Sequence, residues 1–159
     1  MKYLIFILFS LNVSNCYSQN SPIDSSYNVS IDSVIGKRPY KIECFESGCV
    51  IHTKSIIIIR KVNSEFFASL NERTDTAGGS QTFIINKFCK LSKDKIDSIR
   101  QFEKDLTIFP SDFSDGQHSM YYTLIYGKHR KMYFDGRMND NEWMGFYGLV
   151  KTLFNIEKE

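Results

Sequence analysis

The sequence predicts an α+β fold: a single domain with a mainly antiparallel sheet and two helices packed on one face. Three observations lead there. Short runs rich in β-branched and aromatic residues recur between turn signals. Two stretches near the C-terminal end place apolar residues three and four apart, the spacing of amphipathic helices. Each of those stretches follows a strand-like run, and further strand-like runs precede them, a pattern typical of helices segregated to one side of an antiparallel sheet. With 159 residues, 42% hydrophobic and 14% aromatic, the chain has enough apolar side chains for one core.

Residues 1–18 read as a secretory signal peptide, because Lys2 supplies a short basic region and 3–11 an apolar run of matching length. Cys16-Tyr17-Ser18 presents small residues at the −3 and −1 positions for cleavage before Gln19. Val13-Ser14-Asn15-Cys16 also resembles a lipobox, with Asn15 departing from the small residue usual before the modified cysteine. Soluble export to the periplasm or the exterior is the expected route, and lipidation at Cys16, anchoring the chain to a membrane, is the alternative. Residues 19–35 are dominated by Ser, Asn and Asp and read as a flexible leader. The domain is then expected over 36–157.

Its first strands are expected at 38–45 and 49–53, joined by Phe45-Glu46-Ser47-Gly48. That hairpin would set Cys44 opposite Cys49, at a separation suited to a disulfide in an oxidising compartment. Residues 54–62 contain Ile56-Ile57-Ile58-Ile59, a run that predicts a strand buried on both faces. Residues 65–70 are compatible with strand or helical turn, and the polar stretch 71–80 reads as a loop tip. A strand over 81–89 follows, in which Phe83, Ile85, Lys87 and Cys89 share a face; Cys89 reads as a buried free thiol.

The first helix begins after Ser92, which can cap it, with Leu91 and Ile96 placed as a hydrophobic staple. Ile96, Ile99, Phe102 and Leu106 form its apolar stripe, and Phe109-Pro110 ends it. Residues 119–126 and 130–134, separated by Gly127-Lys128-His129, predict a hairpin. Both of its faces carry apolar bulk, so it is expected as a central pair of strands. Asn139 and Glu142 have capping-box spacing before a second stripe of Trp143, Phe146, Tyr147, Val150, Leu153 and Phe154.

Little in the chain carries chemistry. His52, His118 and His129 lack the spacing of a helical zinc motif. Asp112, Asp115 and His118 could converge on a cation, but Asx-turn formation accounts for them and the EF-hand pattern fails. No phosphate loop or nucleophile elbow occurs. We therefore assign no catalytic, cofactor or metal residue. Removal of Lys2 with the signal lowers the formal charge from +2 to +1, which together with export argues against nucleic acid as a partner. Tyr126, Lys128, Arg130, Lys131, Tyr133 and Arg137 form a candidate partner-binding patch of basic and aromatic residues around the hairpin.

The strand at 81–89, Leu91-Ser92-x-x-x-Ile96 helix, Phe109-Pro110, acidic turn, Tyr-rich hairpin and terminal helix together resemble the layout of emfourin-type proteins. These are small bacterial α+β inhibitors of metalloproteases. The resemblance covers about residues 81–154 and implies an α+β fold and an inhibitory role, without carrying an inhibitory residue to any position here. The functional expectation is an exported, non-enzymatic binding module directed at an envelope or extracellular protein. A structural lipoprotein dependent on Cys16, or a hydrolase using Asp112, Asp115 or His118, are the alternatives.

Overall fold

The computed structural model describes residues 29–34, 38–47, 51–76, 82–108, 119–135 and 145–156. In chain order these form a 3-10 turn (Ile31–Ser33), strands β1 (Tyr40–Ser47), β2 (Ile51–Val62), β3 (Glu65–Thr76) and β4 (Thr82–Lys90), helix α1 (Lys93–Ile108), strands β5 (Ser119–Tyr126) and β6 (His129–Asp135), and helix α2 (Gly145–Phe154). The strands make one six-stranded sheet in the order β4-β3-β2-β1-β5-β6, each neighbouring pair antiparallel. Among the described residues, no helix is long and apolar enough to cross a membrane.

Register decides which side chains are covered. Tyr40, Ile42 and Cys44 of β1 line up with Ile59, Ile57 and Ser55 of β2, and with Leu124 and Tyr122 of β5, and all are at most 2% exposed. Ile99, Phe102 and Leu106 of α1 and Phe146, Leu149, Val150 and Leu153 of α2 complete this core. One ring shows that both helices share a face of the sheet: Tyr122 meets Phe102 edge-on at 5.7 Å and stacks with Phe146 at 6.5 Å. The predicted α+β architecture, with both helices on one face, is the observed one.

The α1 start also matches its sequence signals. The Lys95 N–H reaches Ser92 Oγ at 3.4 Å, the Ile96 N–H reaches the Ser92 carbonyl at 3.1 Å, and Leu91 is buried. Helix α2 closes on Asn155, whose φ of 54° and N–H bond to the Lys151 carbonyl form a left-handed cap.

Several expectations are corrected. The leader does not run to residue 35: Val29, Ile31 and Val34 are 3%, 2% and 3% exposed, and belong to the core. The Ile31 N–H donates to Glu103 Oε1 at 2.8 Å, and Asp32 pairs with Arg100, so this segment is tied to α1. Residues 51–62 form one long strand rather than two. Residues 71–76, expected as a loop, continue β3, because the pairing of Ile51 through Ile56 with Thr76 through Asn71 satisfies their backbone whatever the side chains are.

The Cys44–Cys49 bridge is not supported either. Cys44 faces Ser55 across the ladder and not Cys49, since β1 pairs onward to Ser47 opposite His52 before the chain turns. No disulfide joins the described residues; Cys49 itself lies outside them, as do Cys16, Asp112, Asp115, His118, Arg137, Asn139, Glu142 and Trp143. Cys89 is a half-buried thiol against the core, its pKa raised by burial. Finally, β5 and β6 are not a central pair, because β6 ends the sheet.

Candidate functional site

Among the described residues, a hairpin turn helps build an exposed apolar corner. Asn63 and Ser64 have φ values of 48° and 68°, the pair of positive angles that a two-residue type I′ turn needs. The turn sets Val62 opposite Glu65 and Arg60 opposite Phe67. Beyond them β4 adds Phe88 opposite Ser69 and Ile84 opposite Arg73. By alternation these residues point away from the helices, onto the face of the sheet that no described helix covers.

That face carries large apolar side chains open to solvent. Phe88 is 71% exposed, Ile84 68% and Val62 51%. The rings of Phe67 and Phe88 stack at 5.7 Å, 12° from parallel. A shallow cavity of about 280 Å³ opens among Ile58, Arg60, Val62, Phe67, Ser69 and Phe88. Strand β4 is also the sheet edge, so its outer backbone groups have no strand partner among the described residues.

Charge on the same face is one-sided. Register places Lys41, Lys54, Arg60, Arg73, Lys90 and Arg130 there against Glu43, Glu65 and Asp75, six cations to three carboxylates and a formal excess of +3. Lys90 pairs with Glu65 and Arg73 with Asp75. Arg60, at the lip of the apolar cavity, makes no ion pair among the described residues.

The basic aromatic patch expected around the β5–β6 hairpin is divided by the same alternation. Tyr126, Lys131 and Tyr133 lie on the helix-bearing face, where both tyrosines are half-buried against the core and Lys131 Nζ sits 5.1 Å from the Tyr133 ring centre. Arg130 lies opposite Ile125 on the open face, and Lys128 occupies the turn. That turn is tight: Gly127 has a φ of +62°, and a Cβ there would stand 3.0 Å from the Arg38 guanidinium. The open-face corner was not singled out from sequence, although the alternation in 83–89 that gathered Phe83, Ile85 and Cys89 necessarily put Ile84 and Phe88 on the other side. No family model, curated protein or solved structure matches this chain.

Polar groups also sit under the helices. Ser55 Oγ donates to Glu72 Oε2 at 2.7 Å, the two residues being 1% and 7% exposed. The Tyr147 hydroxyl donates to Glu46, and burial first, then this bond, hold its pKa above the ordinary phenol value. Each pair satisfies itself, which is what a buried polar group requires. Among the described residues, no three His, Cys, Asp or Glu side chains are grouped to hold a metal ion.

A half-buried carboxyl has a pH signature. Glu103 accepts from the Tyr40 hydroxyl at 2.6 Å and from the Ile31 N–H, and burial pushes its carboxyl up to about 7. The folded protein therefore holds this proton more tightly than the unfolded chain, where the group has the ordinary carboxyl value of 4.5. Its stabilising contribution is full below that value and is lost as pH rises toward 7. We expect Glu103 to remove about 1–3 kcal/mol of stability between pH 4.5 and 7. Urea unfolding of Glu103→Gln, which keeps an acceptor oxygen, should lack this component; an unchanged pH profile would show that Glu103 does not carry it.

Proposed function

We propose that this chain is an exported, non-enzymatic binding module that docks an acidic, partly apolar protein surface of the envelope or the extracellular space onto the corner formed by β2, β3 and β4. The exposure of Phe88, stacked on the Phe67 ring beside Arg60, which makes no ion pair among the described residues, is the observation that carries this reading. Large side chains left this open are more typical of an interface than of an ordinary solvent face. An aromatic pair flanked by arginine is the composition from which interface anchors are drawn. The excess of cations favours an acidic partner and would steer its approach. The leading sequence supports export, and the resemblance of 81–154 to emfourin-type inhibitors makes an enzyme one natural kind of partner.

A photo-crosslinking experiment tests this. Benzoylphenylalanine in place of Phe88, and separately in place of the helix residue Gln101, would be expressed in the producing cells. We expect one defined acidic protein to be captured from position 88 and not from 101, with capture lost when Arg60→Glu is added. No adduct, identical adducts from both positions, or a crosslink only to a second copy of the chain would overturn the reading. Mass spectrometry of the same material is expected to find Gln19 as the mature N-terminus; a diacylated Cys16 would replace soluble export by membrane anchoring.

A further inference from the structure

On the helix-bearing side, at the end of the sheet near the β2–β3 turn, a cleft of about 540 Å³ opens between the 3-10 turn, the β2–β3 hairpin and the first half of α1. Its volume falls in the range of small-molecule sites. Ile31 and Val34 form a floor that is almost fully buried, and the half-buried side chains of Phe66 and Ile96 line it further. The floor is thus apolar and held in place by the core itself.

The rim has a different character. Lys61 reaches it from the end of β2, Lys93 from the first turn of α1, and Arg100 from two turns further on. The Arg100 guanidinium is occupied: it donates to Asp32 Oδ1 at 2.7 and 2.9 Å and to Asp97 Oδ1 at 2.6 Å. Asp32, the one carboxylate among the described lining residues, pairs with Arg100, which it shares with Asp97. Lys61 and Lys93 make no ion pair among the described residues, and the Lys61 ammonium is 5.4 Å from the Phe66 ring centre, over the apolar part of the site.

We propose that this cleft binds a small amphipathic anion, with an aromatic or short aliphatic body on Phe66 and Ile96 and its carboxylate, sulfonate or phosphate between Lys61 and Lys93. The argument is one of complementarity. An apolar body alone would leave two ammonium groups unpaired at its edge, and an inorganic anion alone would leave the apolar wall wet. A molecule with both parts satisfies both. The inference is independent of the open sheet face, which lies on the other side of the sheet.

The test uses the mature chain and two fluorescent probes of similar shape, anionic 8-anilinonaphthalene-1-sulfonate and neutral N-phenyl-1-naphthylamine. We expect saturable binding of the sulfonate at one site, weakened at least tenfold by the Lys61→Glu, Lys93→Glu pair and weakened by added salt. Phe88→Ser, on the open face, should leave it unchanged, and the neutral probe should be insensitive to the charge reversal. Should the reversed pair fail to fold, Lys61→Gln with Lys93→Gln must show the same ranking at smaller size. Absence of saturable binding, equal affinity in the charge variants, or loss in Phe88→Ser would overturn the proposal.

Discussion

Phe146→Ala is expected to destabilise the domain by about 3–5 kcal/mol, the range for emptying a fully buried phenylalanine site. Phe146 is 0% exposed and stacks on Tyr122, which is also the ring that α1 reaches through Phe102. On its other side it meets Tyr147 edge-on at 6.2 Å. Truncation would therefore leave a cavity at the point where both helices and β5 converge, and these elements cannot all collapse into it. Leu153→Ala, at another fully buried position of the same stripe, should fall within about 2–5 kcal/mol. Lys104→Ala on the exposed side of α1 is the comparison and should change stability by less than about 0.5 kcal/mol. Urea unfolding of the three variants checks this. A Phe146→Ala loss of the size seen for Lys104→Ala would mean that α2 does not pack on the sheet.

Ile31→Ala is expected to cost about 2–5 kcal/mol, although its neighbours in sequence read as a flexible leader. Ile31 is 2% exposed, and its N–H is fixed by Glu103, a residue of α1 that also holds the Tyr40 hydroxyl. Val29 and Val34 are buried on either side of it. The 3-10 turn is itself capped, as Ser30 Oγ accepts from the Asp32 N–H at 3.1 Å. Removal of the Ile31 side chain would thus open the core and loosen the contact that satisfies the half-buried Glu103 carboxyl. Equilibrium unfolding again gives the number. A change under about 0.5 kcal/mol, the scale of surface substitutions, would return residues 29–34 to the leader.

The elements legible in the sequence were those whose signal is local. The stripe of Ile99, Phe102 and Leu106, the Ser92 cap and the alternation through 119–126 each repeat within a few residues, because backbone geometry alone imposes periods of 3.6 and 2. The fold class follows from their order. The candidate patch around Tyr126 and Arg130 was legible only as composition: the two residues are near in sequence, but strand pairing sends their side chains to opposite faces.

Pairing between distant segments was beyond the reach of such signals. Ile56 to Ile59 look alike in sequence, yet Ile57 and Ile59 are 0% exposed while Ile56 and Ile58 are only half-buried on the open face. Which pair is covered depends on helices that begin at Lys93 and Gly145. Cys44 lies opposite Ser55 because the whole β1–β2 ladder sets the register, not the spacing of two cysteines. Val29, Ile31 and Val34 are isolated apolar residues in a polar stretch, and their burial is created by α1, 72 residues away from Ile31 at Glu103. The exposed Phe88 and Ile84 have the same origin: they are ordinary strand residues until the sheet order leaves β4 at an edge and one face that no described helix covers. Local periodicity specifies which elements form, whereas burial is a property of the partner surface, and that surface exists only once segments far apart in the chain have met.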